Sequence, residues 1–376
     1  MNTSPSEPIF REIKTLSAFL RRTHSLANCT IQQIDFSNEH IDWNEITILN
    51  TTFLGCTLRR EDQGILIERG AVIFPTATHL PYQPYRSSLY SWQELMEGYH
   101  PDHDESIDLS IYEYFIQNKF NPPINEALYQ RIHDHSIDDA LRNFLKYQPD
   151  GLTEQRCVGF MGGHSVLRTD HYYSLVAQTA KLVAEQGYTV ASGGGPGIME
   201  AANLGAYFKG QPDQALQEAI EILSEAPHYQ DRAFIMQAKK VLEKYPQGAI
   251  SLAIPTWFYG HEPSNLFASH IAKYFSNSIR EDTLLAICLY GVVFAPGSAG
   301  TVQEIFMDAA QNHYGSFSYF SPMIFLGKKW YDIESMIFPM VRKLSYGKPY
   351  HDLLFLSDDP KRIVQFILNH QPIPNQ

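Results

Sequence analysis

From residue 156 onward, short apolar runs alternate with longer stretches whose apolar positions have helical spacing. Residues 157–161, 189–191 and 292–295 are runs rich in Val, Ala and Phe, and each predicts a buried strand. Residues 171–187 carry apolar side chains at the spacing of one helix face. Alternation of this kind predicts an α/β domain, with a doubly wound parallel sheet and helices on both faces.

The same pattern places further elements along the rest of the chain. Additional strands are predicted at 250–254 and 323–326. Helices are predicted at 198–207, 214–224, 230–244, 266–275, 279–287 and 301–312, and near 330–344 and 359–369. Because ligands of such sheets bind at the carboxyl ends of the strands, the segments that follow the strands are where we look for chemistry.

The chain before residue 151 has a different pattern. Apolar residues recur at every fifth position from Ile31 to Ile46, and a second phase runs from Ile48 to Leu58. This predicts a β-rich region over 1–104, either a short β-solenoid or a few strands whose spacing is accidental. Residues 66–75 read as one more strand, and 105–150 as a helical connector. Residues 151–376 form the predicted nucleotide-binding domain.

Composition and charge narrow the class of protein. The chain has 376 residues with 44% hydrophobic and 19% charged residues, as expected of a soluble globular protein. A net charge of −12 argues against nucleic acid as a partner. The four cysteines form no CxxC pair and are expected to be free thiols, with no metal site. No signal peptide or membrane-length apolar run occurs, so we expect a cytoplasmic protein without a membrane partner.

Three glycine-bearing segments follow predicted strands. They are "FMGGHS" (160–165), "SGGGPGIMEAAN" (192–203) and "APGSAGT" (295–301). All three should meet at one edge of the sheet, and the second and third begin helices whose N-terminal N–H groups attract anions. The second and third segments are not P-loops, because no Gly-Lys-Ser/Thr follows them. They are not dinucleotide-binding fingerprints either, because the acidic residue about twenty positions further on is missing. Together they predict a site for a phosphate-containing ligand.

Two charged residues accompany these segments. Glu304 is predicted in the first turn of the helix after the third segment, where a carboxylate would repel a phosphate unless it faces another part of the ligand. It either acts on the ligand or complements the helix dipole. Arg280 lies on the preceding predicted helix, where it either serves the site or forms a surface ion pair with Glu281.

The second and third segments resemble the paired GGGxGxM and PGGxGTxxE signatures of the LOG (Lonely Guy) family, whose members are often misnamed lysine decarboxylases. The resemblance covers about residues 155–330. "GGHS" (162–165), "HEPSN" (261–265) and the N-terminal extension look more like the larger bacterial nucleotide 5'-monophosphate nucleosidases of that group. Ser298 replaces the second glycine of PGG, which keeps the N–H but would alter the loop if a positive φ were needed.

The resemblance implies a Rossmann-like fold and hydrolysis of the N-glycosidic bond of a nucleoside 5'-monophosphate, giving a free base and ribose 5-phosphate. It assigns the catalytic roles to Glu304 and Arg280, requires no metal or cofactor, and implies a homodimer or higher homo-oligomer. Residues expected to bind substrate or phosphate are Gly163, His164, Ser165, Gly194, Gly195, Gly197, Glu200, Asn203, Glu262, Gly297, Ser298, Ala299, Gly300 and Thr301.

Several alternatives remain at this point. His164 either protonates the leaving base, binds the phosphate or caps a turn. Tyr259 and Trp257 either stack on the base or belong to the core or a dimer contact. The protein is either a phosphoribohydrolase or a non-catalytic nucleotide sensor on the same fold. A lysine decarboxylase is rejected, because that chemistry needs pyridoxal phosphate on a lysine and no glycine segment contains one.

Overall fold

The computed structural model describes residues 7–100 and 102–375. The chain folds into two compact units, Met1–Arg86 and Ser87–Gln376. The division thus falls at residue 86 rather than at the predicted boundary of 104, and residues 87–150 group with the sheet. The physical reason is specific pairing within the second unit. Tyr90 forms a backbone bridge with Ile271, and Asp108 accepts hydrogen bonds from Lys273.

The first unit is built from short strands that lie side by side in chain order. The sheet is parallel throughout, in the order β1-β2-β3-β4. Its elements are β1 (Ile9–Phe10), α1 (Ile13–Thr23), β2 (Thr30–Gln32), a 3-10 turn (Trp43–Glu45), β3 (Thr52–Leu54), α2 (Arg60–Glu68) and β4 (Val72–Phe74). Of the strand predicted at 66–75, only β4 is extended, because its first residues complete α2.

The coil of this unit is longer than the five-residue spacing suggested. Ile31 pairs with Phe53, 22 residues further on, and both side chains are buried in one apolar column. Asn28 and Asn50 repeat at the same distance, and the amide of Asn50 donates to Asn28 Oδ1 at 3.0 Å. Phe36 is buried in the same coil as Ile31, so the spacing of five marks inward positions within one coil. The strands are stacked as in a solenoid, but helical segments complete each coil.

The second unit contains the larger sheet. The strands of this unit are β5 (Tyr99–His100), β6 (His103–Asp104), β7 (Cys157–Met161), β8 (Thr189–Ser192), β9 (Leu252–Ala253), β10 (His270–Ile271), β11 (Val292–Phe294), β12 (Tyr319–Phe320), β13 (Met323–Phe325), β14 (Leu354–Leu356) and β15 (Ile373–Pro374). Its helices are α3 (Trp92–Leu95), α4 (Ile107–Gln117), α5 (Ile124–Leu145), α6 (His171–Glu185), α7 (Ile198–Tyr207), α8 (Asp213–Leu223), α9 (Phe234–Lys244), α10 (Asn277–Ile287), α11 (Ala299–Tyr314), α12 (Ile337–Leu344) and α13 (Pro360–Asn369). A π-helical segment (Lys329–Glu334) and a 3-10 segment (Pro349–Leu353) lie near the end.

Seven strands form a parallel sheet in the order β10-β9-β8-β7-β11-β13-β14. The first strand of the sheet along the chain, β7, lies at its centre. Strands β8, β9 and β10 are added on one side of β7, and β11 is then added on the other side. The strand order therefore reverses between β7 and β11, and a crevice opens there at the carboxyl ends. The predicted Rossmann-like α/β fold, with a doubly wound parallel sheet, is confirmed.

Most predicted elements of this unit are present, and β7 and α7 have the predicted bounds. The helix predicted over 266–275 is wrong. His270–Ile271 is instead a strand that pairs with β9, and Ile271 also bridges to Tyr90. The apolar residues of this segment follow helical spacing, but backbone pairing on both sides outweighs that local preference. Within the described residues, none of the helices combines the length and the apolar character that crossing a membrane requires.

Candidate functional site

The three glycine segments meet at the crevice between β7 and β11. The N–H of Gly163 donates to the carbonyl of Pro296 at 3.0 Å, and the N–H of Ile198 donates to the carbonyl of Gly163 at 3.1 Å. Gly197 has a φ of +67°, and a Cβ there would collide with the backbone of Gly163. The first segment is thus bonded to the other two, and the N–H of the first residue of α7 is already used.

These segments border a cavity of about 950 Å³. Of the predicted site residues, it is lined by Gly163, His164, Gly194, Gly195, Glu262, Arg280, Ser298, Ala299, Gly300, Thr301 and Glu304. Ser165 and Gly197 lie in a smaller neighbouring cleft. Gly297 is behind the wall, where its Cα is in close contact with Gly163. The structure therefore brings eleven of the sixteen predicted residues to one cavity.

The helix that carries Glu304 starts earlier than predicted. Ser298 is the N-cap of α11, and its φ of −98° is one that serine adopts without strain. The replacement of glycine by Ser298 is therefore compatible with the loop. Because α11 begins at Ala299, Glu304 lies in the second turn, beyond the reach of the dipole effect at the helix start. Dipole complementation does not explain the carboxylate.

Glu304 is instead paired with Arg280. Arg280 Nη1 donates to Glu304 Oε1 at 3.3 Å, and both side chains are largely buried, at 8% and 13% exposure. The Arg280 Nε donates to the carbonyl of Ile254 at 2.8 Å, and Nη2 donates to the carbonyl of Gly193 at 3.4 Å. The guanidinium is thus fixed across the ends of β9 and β8. Arg280 therefore does not form the alternative surface ion pair with Glu281.

Burial and charge act in opposite directions on Glu304. Burial raises the pKa of its carboxyl group, Arg280 beside it lowers that pKa, and the nearby Glu281 raises it again, with a net upward shift. A carboxylate with a raised pKa is a better proton acceptor than one in water. The wall of the cavity therefore carries a base that is held in place by a fixed cation.

Helix α5, which the sequence suggested was only a connector, positions the helix of Arg280. The carboxylate of Asp134 accepts from the N–H groups of Phe275 and Ser276, each at 2.9 Å, just before α10. His133 Nδ1 lies 3.2 Å from the same carboxylate, and its ring is fully buried. His133 is a structural partner of Asp134. The helical pattern of 105–150 showed the helix but not which residues it would touch.

Two predicted site residues are in the core instead of the cavity. Glu200 accepts from Arg168 Nη2 at 2.6 Å, from Arg168 Nε at 2.8 Å and from the hydroxyl of Tyr173 at 2.9 Å. Asn203 accepts from the hydroxyl of Ser192 at 2.6 Å and is fully buried. Both residues lie in the helical part of the second glycine segment, where the helical turn directs them away from the cavity and into the core.

The remaining candidates divide between core and cavity. Trp257 is fully buried and donates its indole N–H to Asp108 at 2.8 Å, so it is not a stacking platform. Tyr259 and His164 are exposed and line the cavity. Glu262 lies over the second glycine segment, since a Cβ on Gly195 would come within 2.6 Å of its Oε2. A side chain at Gly195 would displace this carboxylate.

The cysteines are not reactive residues. All four are free and buried, and burial raises the pKa of the Cys56 thiol to about 11 and that of Cys157 to about 12. Among the residues that the structure describes, no group of three or more His, Cys, Asp or Glu side chains is arranged to hold a metal ion.

One turn beyond Glu304, Asp308 is a buried acid whose replacement should stabilise the protein. Burial raises its pKa to about 8, and among the described residues its Oδ2 has no hydrogen-bond partner. Because the pKa of Asp308 is raised on folding, the free energy of unfolding falls as the pH rises from the ordinary aspartate pKa of 3.8 towards 8. We expect Asp308→Asn to raise the free energy of unfolding by about 1–3 kcal/mol at pH 8 and much less at pH 5.

Urea denaturation of the wild type and Asp308→Asn at the two pH values measures this effect. Asp282→Asn, on the exposed side of α10, is the control and should change stability little at either pH. An Asp308→Asn variant that is less stable than the wild type at pH 8, or whose gain is the same at pH 5, would show that the buried acid is not held protonated.

Fold and site together define a Rossmann-like α/β protein with a ligand cavity at the switch point of its sheet. Residues 155–211, which include the first two glycine segments, match the SLOG cluster4 family. No curated protein matches the chain. The match supports the resemblance of the glycine motifs over that segment.

Two solved structures are among those that show a distant similarity to this chain. The molybdenum cofactor binding protein of Rippkaea orientalis is 15% identical, with a TM-score of 0.37, and the match covers 57% of this chain and 97% of that one. The molybdenum cofactor carrier protein of Chlamydomonas reinhardtii is 14% identical, with a TM-score of 0.35, covering 58% and 100%. The function of this chain is therefore inferred from its own cavity.

Proposed function

We propose that the protein hydrolyses the N-glycosidic bond of nucleoside 5'-monophosphates to a free base and ribose 5-phosphate. The observation that carries the proposal is the buried Arg280–Glu304 pair on a cavity wall that also contains the start of α11. A site for phosphate alone has no use for a carboxylate. A ligand with an anion at one end and a developing cation next to it has a use for both.

The phosphate would lie against the start of α11. The first N–H groups of a helix have no partner within the helix, and the residues that supply them here, Ala299, Gly300 and Thr301, line the cavity. Nothing lies within 4 Å of where a Cβ of Gly300 would be, so the backbone is open to a ligand at that point. The wall therefore offers donors to phosphate oxygens next to the Arg280–Glu304 pair.

The reaction places a positive charge next to the carboxylate. Water attacks C1' of the ribose while the bond from C1' to the base nitrogen breaks and its electron pair stays on the base. Positive charge builds on C1' and the ring oxygen in the transition state, as in glycoside hydrolysis. Glu304 stabilises this charge and accepts the proton lost by the attacking water, and the departing base takes up a proton from solvent water.

The second candidate is a nucleotide-binding regulator without turnover. The same cavity and helix start would serve it, but the fixed Arg280–Glu304 pair favours the enzyme. A sensor that only holds a nucleotide gains nothing from a buried carboxylate whose pKa is raised.

Product analysis tests the proposal. Purified protein is incubated with each common nucleoside 5'-monophosphate and with the matching nucleoside that lacks the phosphate, and products are separated by chromatography. We expect free base and ribose 5-phosphate from the nucleotides and little release from the nucleosides, because these lose the contacts at α11. Intact nucleotides throughout, with tight binding in calorimetry, would overturn hydrolysis and favour the regulator.

A further inference from the structure

A second group of charged residues lies on the cavity wall, just after strand β10 and on helix α4. Lys273 Nζ lies 2.7 Å from Asp108 Oδ1 and 2.8 Å from Oδ2, and both side chains are almost fully buried, at 5% and 1% exposure. Both residues line the cavity. Charged groups are seldom buried to this degree unless they are paired, and this pair is separate from Arg280 and Glu304.

The carboxylate of this pair has no capacity left for a ligand. Asp108 Oδ1 accepts from Trp257 Nε1 at 2.8 Å, and Oδ2 accepts from the hydroxyl of Ser264 at 2.8 Å, in addition to the two contacts with Lys273. Four hydrogen bonds fill the acceptor positions of a carboxylate. The ammonium of Lys273 has three N–H groups, and its hydrogen bonds within the described residues all go to Asp108. Nζ also lies 5.2 Å from the centroid of the Trp257 ring. Because Lys273 lines the cavity, we assign its third N–H as a donor to a ligand there.

The order of the strands places this donor at one end of the site. Gly163 follows β7, Gly193 follows β8, the carbonyl that holds Arg280 ends β9, and Lys273 follows β10. Neighbouring strands are about 4.8 Å apart, so β10 lies about 19 Å from β11, the strand that leads into α11. The ends of β9 and β8, which hold Arg280, lie between these two strands. With phosphate at α11 and ribose at Arg280 and Glu304, the base falls towards Lys273.

We propose that Lys273 is the specificity-determining residue for the base, and that the cavity prefers nucleotides whose base has an oxo group, in place of an amino group, at C6 of a purine or C4 of a pyrimidine, as in hypoxanthine, guanine or uracil. This inference rests on the proposed function. An oxo group at this position accepts a hydrogen bond from the remaining N–H of the Lys273 ammonium. The amino group of adenine or cytosine is itself a donor, so it cannot accept that hydrogen bond. A buried donor left without a partner disfavours the amino base.

The same hydrogen bond would also assist the reaction. When the glycosidic bond breaks, its electron pair passes to the base, and negative charge is shared with an oxo group that is conjugated to the ring. A hydrogen bond from an ammonium to that oxygen becomes stronger as the charge develops. Discrimination should therefore appear in kcat/KM and not only in binding.

The test is the ratio of kcat/KM for inosine 5'-monophosphate to that for adenosine 5'-monophosphate, which differ at the exocyclic group. We expect a ratio of about 10–100 for the wild type. Lys273→Met should bring it close to one. Because that change leaves Asp108 buried without its cation, the double variant Lys273→Met with Asp108→Asn is measured as well. Lys209→Met, an exposed lysine outside the cavity, is the matched control and should keep the wild-type ratio.

A merely structural role for the pair would lower both rates together and leave the ratio unchanged, which would overturn the inference. A wild type that cleaves both nucleotides equally well would also overturn it, while the proposed function would stand. Calorimetry separates the two proposals if no nucleotide is cleaved. Tighter binding of inosine 5'-monophosphate that is lost in the double variant would then support the role of Lys273 and overturn hydrolysis, and equal binding would overturn both.

Discussion

Replacing Glu304 with glutamine is expected to lower kcat for base release by about 10²–10⁴-fold. The amide is nearly the same size and still lies against Arg280, but it neither neutralises the charge on the ribose nor accepts a proton from water. Binding of ribose 5-phosphate, whose phosphate we assign to the start of α11, should change only a few-fold. Chromatographic rates and calorimetry of the same preparations give the two quantities.

The pH profile separates this role from a structural one. Since the Glu304 carboxyl has a raised pKa and acts when ionised, the wild-type rate should rise with pH through that pKa and then level off. Glu304→Gln should lack this rise. In the wild type, the positive charge of Arg280 lowers the pKa of Glu304. Arg280→Met removes this charge, so the pKa of Glu304 and the rise in rate should both move to higher pH. Glu243→Gln, on the exposed face of α9, should retain the wild-type profile. Equal kcat in the wild type and Glu304→Gln would mean that another carboxylate acts.

The parts of this site that the sequence predicted are those with a local signature. A β-branched run followed by glycines marks the end of a buried strand, and three such runs meet at one edge because the strands are parallel. The convergence of "GGHS", "SGGGPG" and "PGSAGT" was therefore predictable. So was the approach of Glu304 to it, although the start of α11 was placed two residues too late.

The parts that were missed depend on contacts between distant segments. Lys273 lies in a segment with helical spacing that becomes a strand because β9 and Tyr90 pair with it. Asp108 belongs to a helix that looked like a connector, and it meets Lys273 across a separation of 165 residues. No local pattern of charges indicates such a pair. The buried cation and carboxylate become visible only once the sheet edge and α4 are placed together.

Glu200 illustrates the opposite error. It lies in the helical part of the second glycine segment and resembles a site residue of the LOG motif, yet it is buried against Arg168. The guanidinium also donates to the carbonyls of Ala226 and Phe234 and lies over the Phe234 ring, 3.4 Å from its centroid. This cluster connects α7 to the segment before α9. Sequence shows that a carboxylate is present, but the direction of its side chain depends on the phase of the helix.

Breaking this pair is expected to be strongly destabilising. Arg168→Met should lower the free energy of unfolding by about 3–5 kcal/mol, because Glu200 would be left as a buried charge with only the Tyr173 hydroxyl as a partner. Arg168→Met combined with Glu200→Gln should recover much of the loss, since no charge then remains unpaired. Arg342→Met, at an exposed position, is the control for loss of an arginine. Urea denaturation of the four proteins gives the comparison.

Activity of the same variants decides whether Glu200 is also part of the chemistry. If it only supports the fold, the double variant should release base at a rate within a few-fold of the wild type at temperatures where it is fully folded. A stable double variant with activity as low as that of Glu304→Gln would place Glu200 in the reaction after all. A single Arg168→Met variant as stable as the wild type would show that the buried Arg168–Glu200 pair is not needed for the stability of the fold.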